Sequence, residues 1–270
     1  MSLKAGTLRG TALLAGLTGY GFSMAIMVRA GLGLDPWDVF HQGLSIHTGM
    51  TIGVASAVVG VVVLLAWIPL RNRPGVGTIA NVIVIAITVD VGMLLLSAPT
   101  SLPVRIAMML GAVVLNAFST VLYVGAGLGP GPRDGLMTGL VVRTGLSVRL
   151  VRTSIEATVL VVGWLLGGSV GAGTVVYAFG IGPLVQFFVR ITPKRWLAVS
   201  GWAAVAEASE LGIEDGSGKR GIDSTRVEEM VGERAGEADG AGPNAETSEA
   251  RAWVANTDHP QCRSGVGDPW

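Results

Sequence analysis

Six apolar segments, each close to the length that crosses a lipid bilayer, constrain this chain more than any other feature. They cover residues 11–28, 51–70, 78–97, 104–124, 153–166 and 174–189, and a hydrocarbon core about 30 Å thick requires roughly 20 apolar residues of helix. The segment at 153–166 is the shortest. Every backbone polar group inside a bilayer must be paired within the structure, so only helices and closed barrels cross it. Barrel strands are shorter and alternate apolar with polar residues; these segments do not alternate. RNRPGVG (71–77), APTSLP (98–103) and GGSVGAG (167–173) separate several of them with turn-forming Gly and Pro. The expected fold is all-α, a polytopic membrane helix bundle of about six transmembrane helices.

Charge supports lipid as the solvent. Only 14% of the 270 residues are charged, against about 25% in soluble domains. The zero net charge hides two unlike parts: residues 1–206 hold thirteen Lys/Arg and five Asp/Glu, and residues 207–270 hold six and fourteen. The acidic segment 207–270 has few large apolar residues and is expected to be a disordered cytoplasmic tail. Before it, ITPKRWLAVSGW (191–202) resembles an interfacial helix, with Lys194 and Arg195 at the headgroups and Trp196 and Trp202 as anchors. Cys262 is the one cysteine, which excludes a disulfide framework and a cysteine metal site. Lys4 and Arg9 ahead of an apolar run have the form of a signal peptide. A retained span is the preferred reading, because no small-residue cleavage pattern follows and five similar segments do.

The sequence also repeats. A shift of 96 residues lays Gly31, Leu32, Gly33, Pro36, Asp38, Gly43, Leu44, Thr48 and Gly49 onto Gly127, Leu128, Gly129, Pro132, Asp134, Gly139, Leu140, Thr144 and Gly145 without a gap. The same shift lays Gly75, Gly77 and Thr78 onto Gly171, Gly173 and Thr174. Glycine abundance does not explain Pro, Asp and Thr falling in one frame, so duplication is expected. The domains are then a short cytoplasmic N-terminus (1–10), a first membrane repeat (11–97), a second (104–190), an interfacial segment (191–206) and the tail (207–270).

Lys and Arg concentrate in cytoplasmic loops of membrane proteins. With the N-terminus inside, the inner connections carry eleven basic residues and the outer ones only Arg29 and Arg105, which predicts both termini in the cytoplasm. Three crossings per repeat is an odd number, so the second copy enters from the opposite side. Inverted repeats of this kind occur in secondary transporters, whose sites lie at the repeat interface. A competing count, with residues 36–48 and 132–145 as further spans, makes the repeats parallel. Asp38, His41, Gln42 and His47 make that count expensive.

The motif GLGLDPWDVFHQGL (31–44) has a local reading. Gly31 and Gly33, like Gly127 and Gly129, permit positive φ or close approach. Asp35 can cap a helix that starts at Pro36, as Pro132 can start its counterpart. Asp38 and Asp134 fall where free N–H groups and the positive dipole end lie. Trp37, Phe40 and Leu44 share a face, and Gly49 stops the helix. Such a helix is either a capped interfacial connection or an element that dips inward and lines a path. In the second case inversion places the copies on opposite membrane faces, with Trp37 and Arg133 as parts of two gates.

Other candidates are carboxylates within the apolar segments. Asp90 and Glu156 at membrane depth would cost about 2.5 to 3.5 kcal/mol each and would face a partner or a cavity. Asp90→Asn is expected to reduce activity with little loss of protein. Arg152 lies four residues before Glu156, so a helix-surface ion pair competes as an explanation. The candidate pathway residues are therefore Asp90, Glu156, Asp38, Asp134, Trp37, His41 and Arg133. His41 and His47 are six apart with no third ligand nearby, so no metal is expected. A dinucleotide fingerprint is absent, Pro130 and Pro132 remove donors a phosphate loop would use, and no nucleophile has a base partner. No cofactor, enzyme activity or nucleic-acid partner is expected. Gly163 and Gly167 predict close helix packing.

GLGLDPWDVFHQGLS, TGMTIG and RPGVGTIANV resemble the YczE-type integral membrane proteins of bacteria, related to the broader YitT-type group, over roughly residues 10–190. The resemblance implies a multi-pass inner-membrane protein and no assigned biochemical activity. The second motif departs from it where Arg133 stands in place of tryptophan. The expected function is a transporter-like permease for a small molecule or ion. The rival is a membrane scaffold that supports a partner enzyme or export system, or a homo-oligomer, through its tail. Loss of function on deleting residues 207–270 would favour the scaffold.

Overall fold

The computed structural model describes residues 3–192; the expected tail and nearly all of the interfacial segment lie outside the described residues. Eight α-helices follow one another there: α1 Leu3–Ala30, α2 Pro36–Thr48, α3 Ile52–Leu70, α4 Val76–Leu95, α5 Leu102–Gly125, α6 Pro132–Thr144, α7 Val148–Leu165 and α8 Ala172–Ile191. No strand occurs among the described residues, so the fold is all-α.

Five helices, α1, α3, α4, α5 and α8, are long and apolar enough to cross a membrane. The sixth expected span falls on α7. That helix carries Arg149, Arg152 and Glu156, which shorten its apolar run to the C-terminal part. Outward faces of the long helices are apolar: Leu65, Ile68, Leu94, Leu95 and Phe179 are exposed. In water such a surface would drive aggregation, and in lipid it is the appropriate covering.

α1 lies at the centre, packed along α5 on one side and α4 on another. Its glycines permit this. A side chain at Gly16 would strike the backbone of Ser119 and Tyr123, and one at Gly21 would strike Ile85 and Thr88. Moving up α1, the partners on α5 run backwards, from Tyr123 opposite Gly16 through Asn116 at Ser23 to Arg105 at Ala30. The two helices are therefore antiparallel. Leu13, Leu17, Tyr20 and Met24 of α1 bury against Ile85, Val89 and Tyr123.

The remaining helices occupy repeating positions. The bounds of α6 are those of α2 displaced by 96, and the bounds of α8 are those of α4 displaced by 96. Contacts recur at the same displacement with the halves exchanged. Gly173 N–H donates to Leu32 O (2.7 Å), and Gly77 N–H donates to Leu128 O (2.8 Å). Gly33 abuts Gly171 as Gly129 abuts Gly75. Gly163 of α7 packs on Val39 and Phe40 of α2, while Trp67 of α3 covers Gly135 of α6. Through Leu32 O and Leu128 O, the loop before each short helix supplies a carbonyl to the free N–H groups that begin α8 and α4 respectively.

Candidate functional site

The first turns of α2 and α6 face each other across the junction between the halves. Asp35 caps α2 in extended conformation: its Oδ1 accepts from the backbone N–H of Trp37 (2.9 Å) and of Asp38 (3.1 Å). Pro36 at the first helical position has no N–H to satisfy, which makes the start abrupt. At the corresponding place before α6, Gly131 offers no side-chain cap. Arg133, in the second helical position, reaches instead across the junction.

Its guanidinium stands 3.8 Å from Asp35 Oδ1 and 3.6 Å from Asp38 Oδ1, and 4.9 Å above the Trp37 ring. These are ion contacts longer than ordinary hydrogen bonds. Arg133 also points at the Tyr20 hydroxyl (3.5 Å). His41 Nδ1 lies 3.4 Å from Asp38 Oδ1. Asp35, Asp38 and His41 are at most 2% exposed, whereas the Arg133 side chain is 29% exposed, so the cluster is entered from the arginine side. Below Tyr20 the polar layer continues: Ser23 donates to Tyr20 O, Asn116 Nδ2 donates to Ser23 Oγ (2.9 Å), and Tyr177 donates to Asn116 Oδ1 (3.0 Å).

Several acceptors in this cluster are unfilled. Asp35 Oδ2, both oxygens of Asp38 and His41 Nδ1 are buried without a hydrogen-bond partner. Buried polar groups are nearly always paired, so this concentration of unpaired atoms makes the cluster the candidate site. α2 and α6 lie outside the five long apolar helices. Burial pushes the Asp35 carboxyl up to about 8, with the Asp38 charge adding and Arg133 opposing. Burial also raises Asp38, against the pull of Arg133, and holds the His41 imidazole down to about 3 with Arg133 reinforcing it. Among the described residues no group of three His, Cys, Asp or Glu is placed to hold a metal ion.

The structure brings Asp38, Trp37, His41 and Arg133 together. Trp37 and Arg133, expected on opposite faces, are in contact, because α2 and α6 point their N-termini at one another and leave their far ends, Gly49 and Gly145, exposed. Asp134 stands beside Arg133 on α6 but is itself exposed. Asp90 lies elsewhere: it accepts from Thr51 Oγ1 (2.6 Å) and from Gly53 N–H (2.8 Å), which fastens α4 to the start of α3. Glu156 pairs with Arg152 at 2.9 Å on the exposed face of α7. The motif glycines Gly31, Gly33, Gly127 and Gly129 all have positive φ, and Pro36 and Pro132 begin their helices. Sequence reasoning used Asp35 only as a cap, and singled out none of Tyr20, Asn116 or Tyr177. A polar residue amid an apolar segment was the available signal for the last three.

Residues 7–190 match the family described as a family of unknown function, DUF6198. The chain belongs to this family. The match spans α2, α6 and every residue of the buried cluster. Among relatives, an "Uncharacterized protein" of Haemophilus influenzae is 44% identical over 182 residues, covering 67% of this chain and 84% of that one. The "Uncharacterized membrane protein YczE" of Bacillus subtilis is 34% identical over 182 residues, 67% of this chain and 85% of its own. The "Uncharacterized protein YyaS" of Bacillus subtilis is 25% identical, covering 65% and 89%. No solved structure matches. The YczE-type resemblance thus holds across the membrane region, and the long apolar helices make this a multi-pass membrane protein.

Proposed function

We propose that this protein is a transporter-like permease of the bacterial cell membrane, built from two inverted copies of one four-helix unit, with its substrate site at the junction of α2 and α6. The observation that carries the reading is the buried group of Asp35, Asp38 and His41 with unfilled acceptors, facing Arg133 from the other half. A packing core has no use for such a group, and uncompensated burial of it costs stability. The reciprocal contacts at a displacement of 96 and the antiparallel run of α1 and α5 support two copies related by an approximate two-fold axis, because exchange of partners is what such an axis requires. A site on that axis between inverted copies is equidistant from both membrane faces, which suits alternating access. The basic residues of the inner connections support cytoplasmic termini.

Cysteine accessibility tests the reading. Leu136 packs against the Trp37 cluster, so Leu136→Cys in a Cys262→Ser background reports on the junction. In vesicles of both orientations, a membrane-impermeant maleimide is expected to label it from either side. Labelling from neither side would favour a packed scaffold, and labelling from one side only would exclude alternating access.

A further inference from the structure

Two carboxylates face one guanidinium in the junction, and the imbalance is the most informative quantity there. With Asp35 and Asp38 both ionised and Arg133 charged, the group carries one net negative charge among residues that are nearly sealed from solvent. Among the described residues, two backbone donations to Asp35 Oδ1 are the hydrogen bonds of ordinary length that its carboxylates receive, and the Arg133 contacts are longer. We propose that the Asp35 and Asp38 pair is the coupling site of the permease: it holds one exchangeable proton, taken from water on one membrane side and released to water on the other. This rests on the permease reading.

The chemistry of a proton fits what is missing. Bound to one carboxylate oxygen, it cancels the surplus charge and turns an acceptor into an O–H donor for its neighbour, as in paired carboxyls that cannot both ionise. A resident metal fits poorly, since no trio of ligand residues is placed for one among the described residues. The titratable and charged groups that act on the pair are Tyr20 of α1, His41 of α2, Arg133 of α6 and Tyr177 of α8; Tyr123 of α5 and Asp134 of α6 act one step further out, on Arg133. Toward Trp37, α3 and α7 present Val59, Val63, Trp67, Ile155 and Val159, which do not titrate, while Arg152 of α7 acts on Asp134. Phenols ionise near pH 10 and the guanidinium stays charged, and burial keeps the His41 imidazole neutral; of the carboxyls, Asp35 and Asp38 are the two that Arg133 faces across the junction, which makes this pair the group to change state in the physiological range. The upward displacement of both carboxyls by burial agrees with that assignment. Arg133 would release or retain the pair according to its own position, since it is the member open to solvent and belongs to the other half.

Two measurements on the full-length protein in lipid test this. Infrared difference spectra are expected to show a protonated carboxyl at neutral pH, lost in Asp35→Asn and in Asp38→Asn, because each variant leaves a single carboxylate balanced by Arg133. Glu156→Gln, on the exposed face of α7, should leave the band in place. The absence of a protonated carboxyl at neutral pH, or its persistence unchanged in both Asn variants, would overturn the assignment. The second measurement is the inward to outward labelling ratio of Leu136→Cys. Coupling predicts a change of several-fold between pH 6 and pH 8, about the factor expected when a site titrates across its pKa, and a fixed ratio with Asp38→Asn added. A ratio that responds to sodium at constant pH instead would overturn the proton in favour of a metal cation. Labelling from neither side speaks against the permease, whereas two-sided labelling indifferent to pH speaks against the proton alone.

Discussion

Arg133 and Trp37 occupy equivalent places in the two motifs, 96 residues apart, and touch each other with the guanidinium carbon 4.9 Å from the ring centre. Equivalent residues of two related units meet only where the operation that relates them leaves space unmoved. On the proposed two-copy architecture the contact marks the line about which the copies are arranged, and the chemistry on that line is unequal. The first half supplies Trp37, Asp35, Asp38 and His41; at the same displacements the second supplies Arg133, Gly131, Asp134 and Met137. Arg133 thus faces Asp35 and Asp38 across the junction, where two like motifs would have set identical residues against each other.

Removal of Arg133 exposes that dependence. Arg133→Gln leaves the buried Asp35 and Asp38 with no countercharge; because the arginine side chain is 29% exposed and its contacts are 3.6 and 3.8 Å long, the loss should fall below that of a fully buried pair, at about 1 to 3 kcal/mol. Thermal unfolding of the detergent-solubilised protein at pH 8 should show a marked drop in Tm. Adding Asp35→Asn and Asp38→Asn to Arg133→Gln should restore most of it, since the triple variant has no unpaired charge. A triple variant as unstable as the single would show that Arg133 stabilises by packing on Trp37 instead.

Stability should also depend on pH with a definite sign. A carboxyl raised in the folded state binds more protons there than in the unfolded chain, so stability falls as pH rises between the two values. For Asp35 that window runs from its ordinary value near 4 to about 8. Tm is expected to decline between pH 5 and pH 8, and Asp35→Asn should flatten the decline. An unchanged slope in the variant would place the proton uptake on another group.

The short helices were legible because their signals are local. Asp35 as cap, Pro36 at the first position and Gly49 as left-handed terminator, with φ of 75°, all lie where the spacing puts them. The apolar segments found four of the five long helices nearly to their ends and α1 in part, since Leu3–Ala30 extends well ahead of the run at 11–28. Depth and pairing were not legible. Asp90 sits mid-segment in sequence, yet the helix it belongs to passes beside the start of α3, whose free N–H groups claim it. The meeting of Trp37 with Arg133 depends on which way two 13-residue helices point, and nothing in a linear pattern encodes that direction.

Asp90 now has a structural task with its own prediction. Its two oxygens satisfy Thr51 Oγ1 and Gly53 N–H at the N-terminus of α3, where a carboxylate also meets the positive dipole end. Asp90→Asn keeps one acceptor and loses the charge, which should lower stability by about 1 kcal/mol. Labelling at Leu136→Cys should be unaltered once folded protein is normalised. A change in the pattern of access at full stability would return Asp90 to the pathway.

The reciprocal loops give the most discriminating substitution set. Gly33 has φ of +111°, and a Cβ there would lie 2.6 Å from Gly171 N; Gly129 has φ of +124°, and a Cβ there would lie 3.0 Å from Thr78 Oγ1 and 3.1 Å from Gly75 Cα. Gly49 and Gly145 also have positive φ, 75° and 69°, yet a Cβ at either meets nothing within 4 Å. Alanine at Gly49 or Gly145 should therefore cost only the left-handed conformation, about 1 to 2 kcal/mol. Alanine at Gly33 adds overpacking of about 1 to 3 kcal/mol against the start of α8, and Gly129→Ala should add a smaller amount because its nearest neighbour is a side-chain hydroxyl. The expected order of Tm loss is Gly33→Ala, then Gly129→Ala, then the two terminators together. Equal losses at all four would mean that backbone conformation alone matters there, and that the loops do not hold α4 and α8 against the opposite halves.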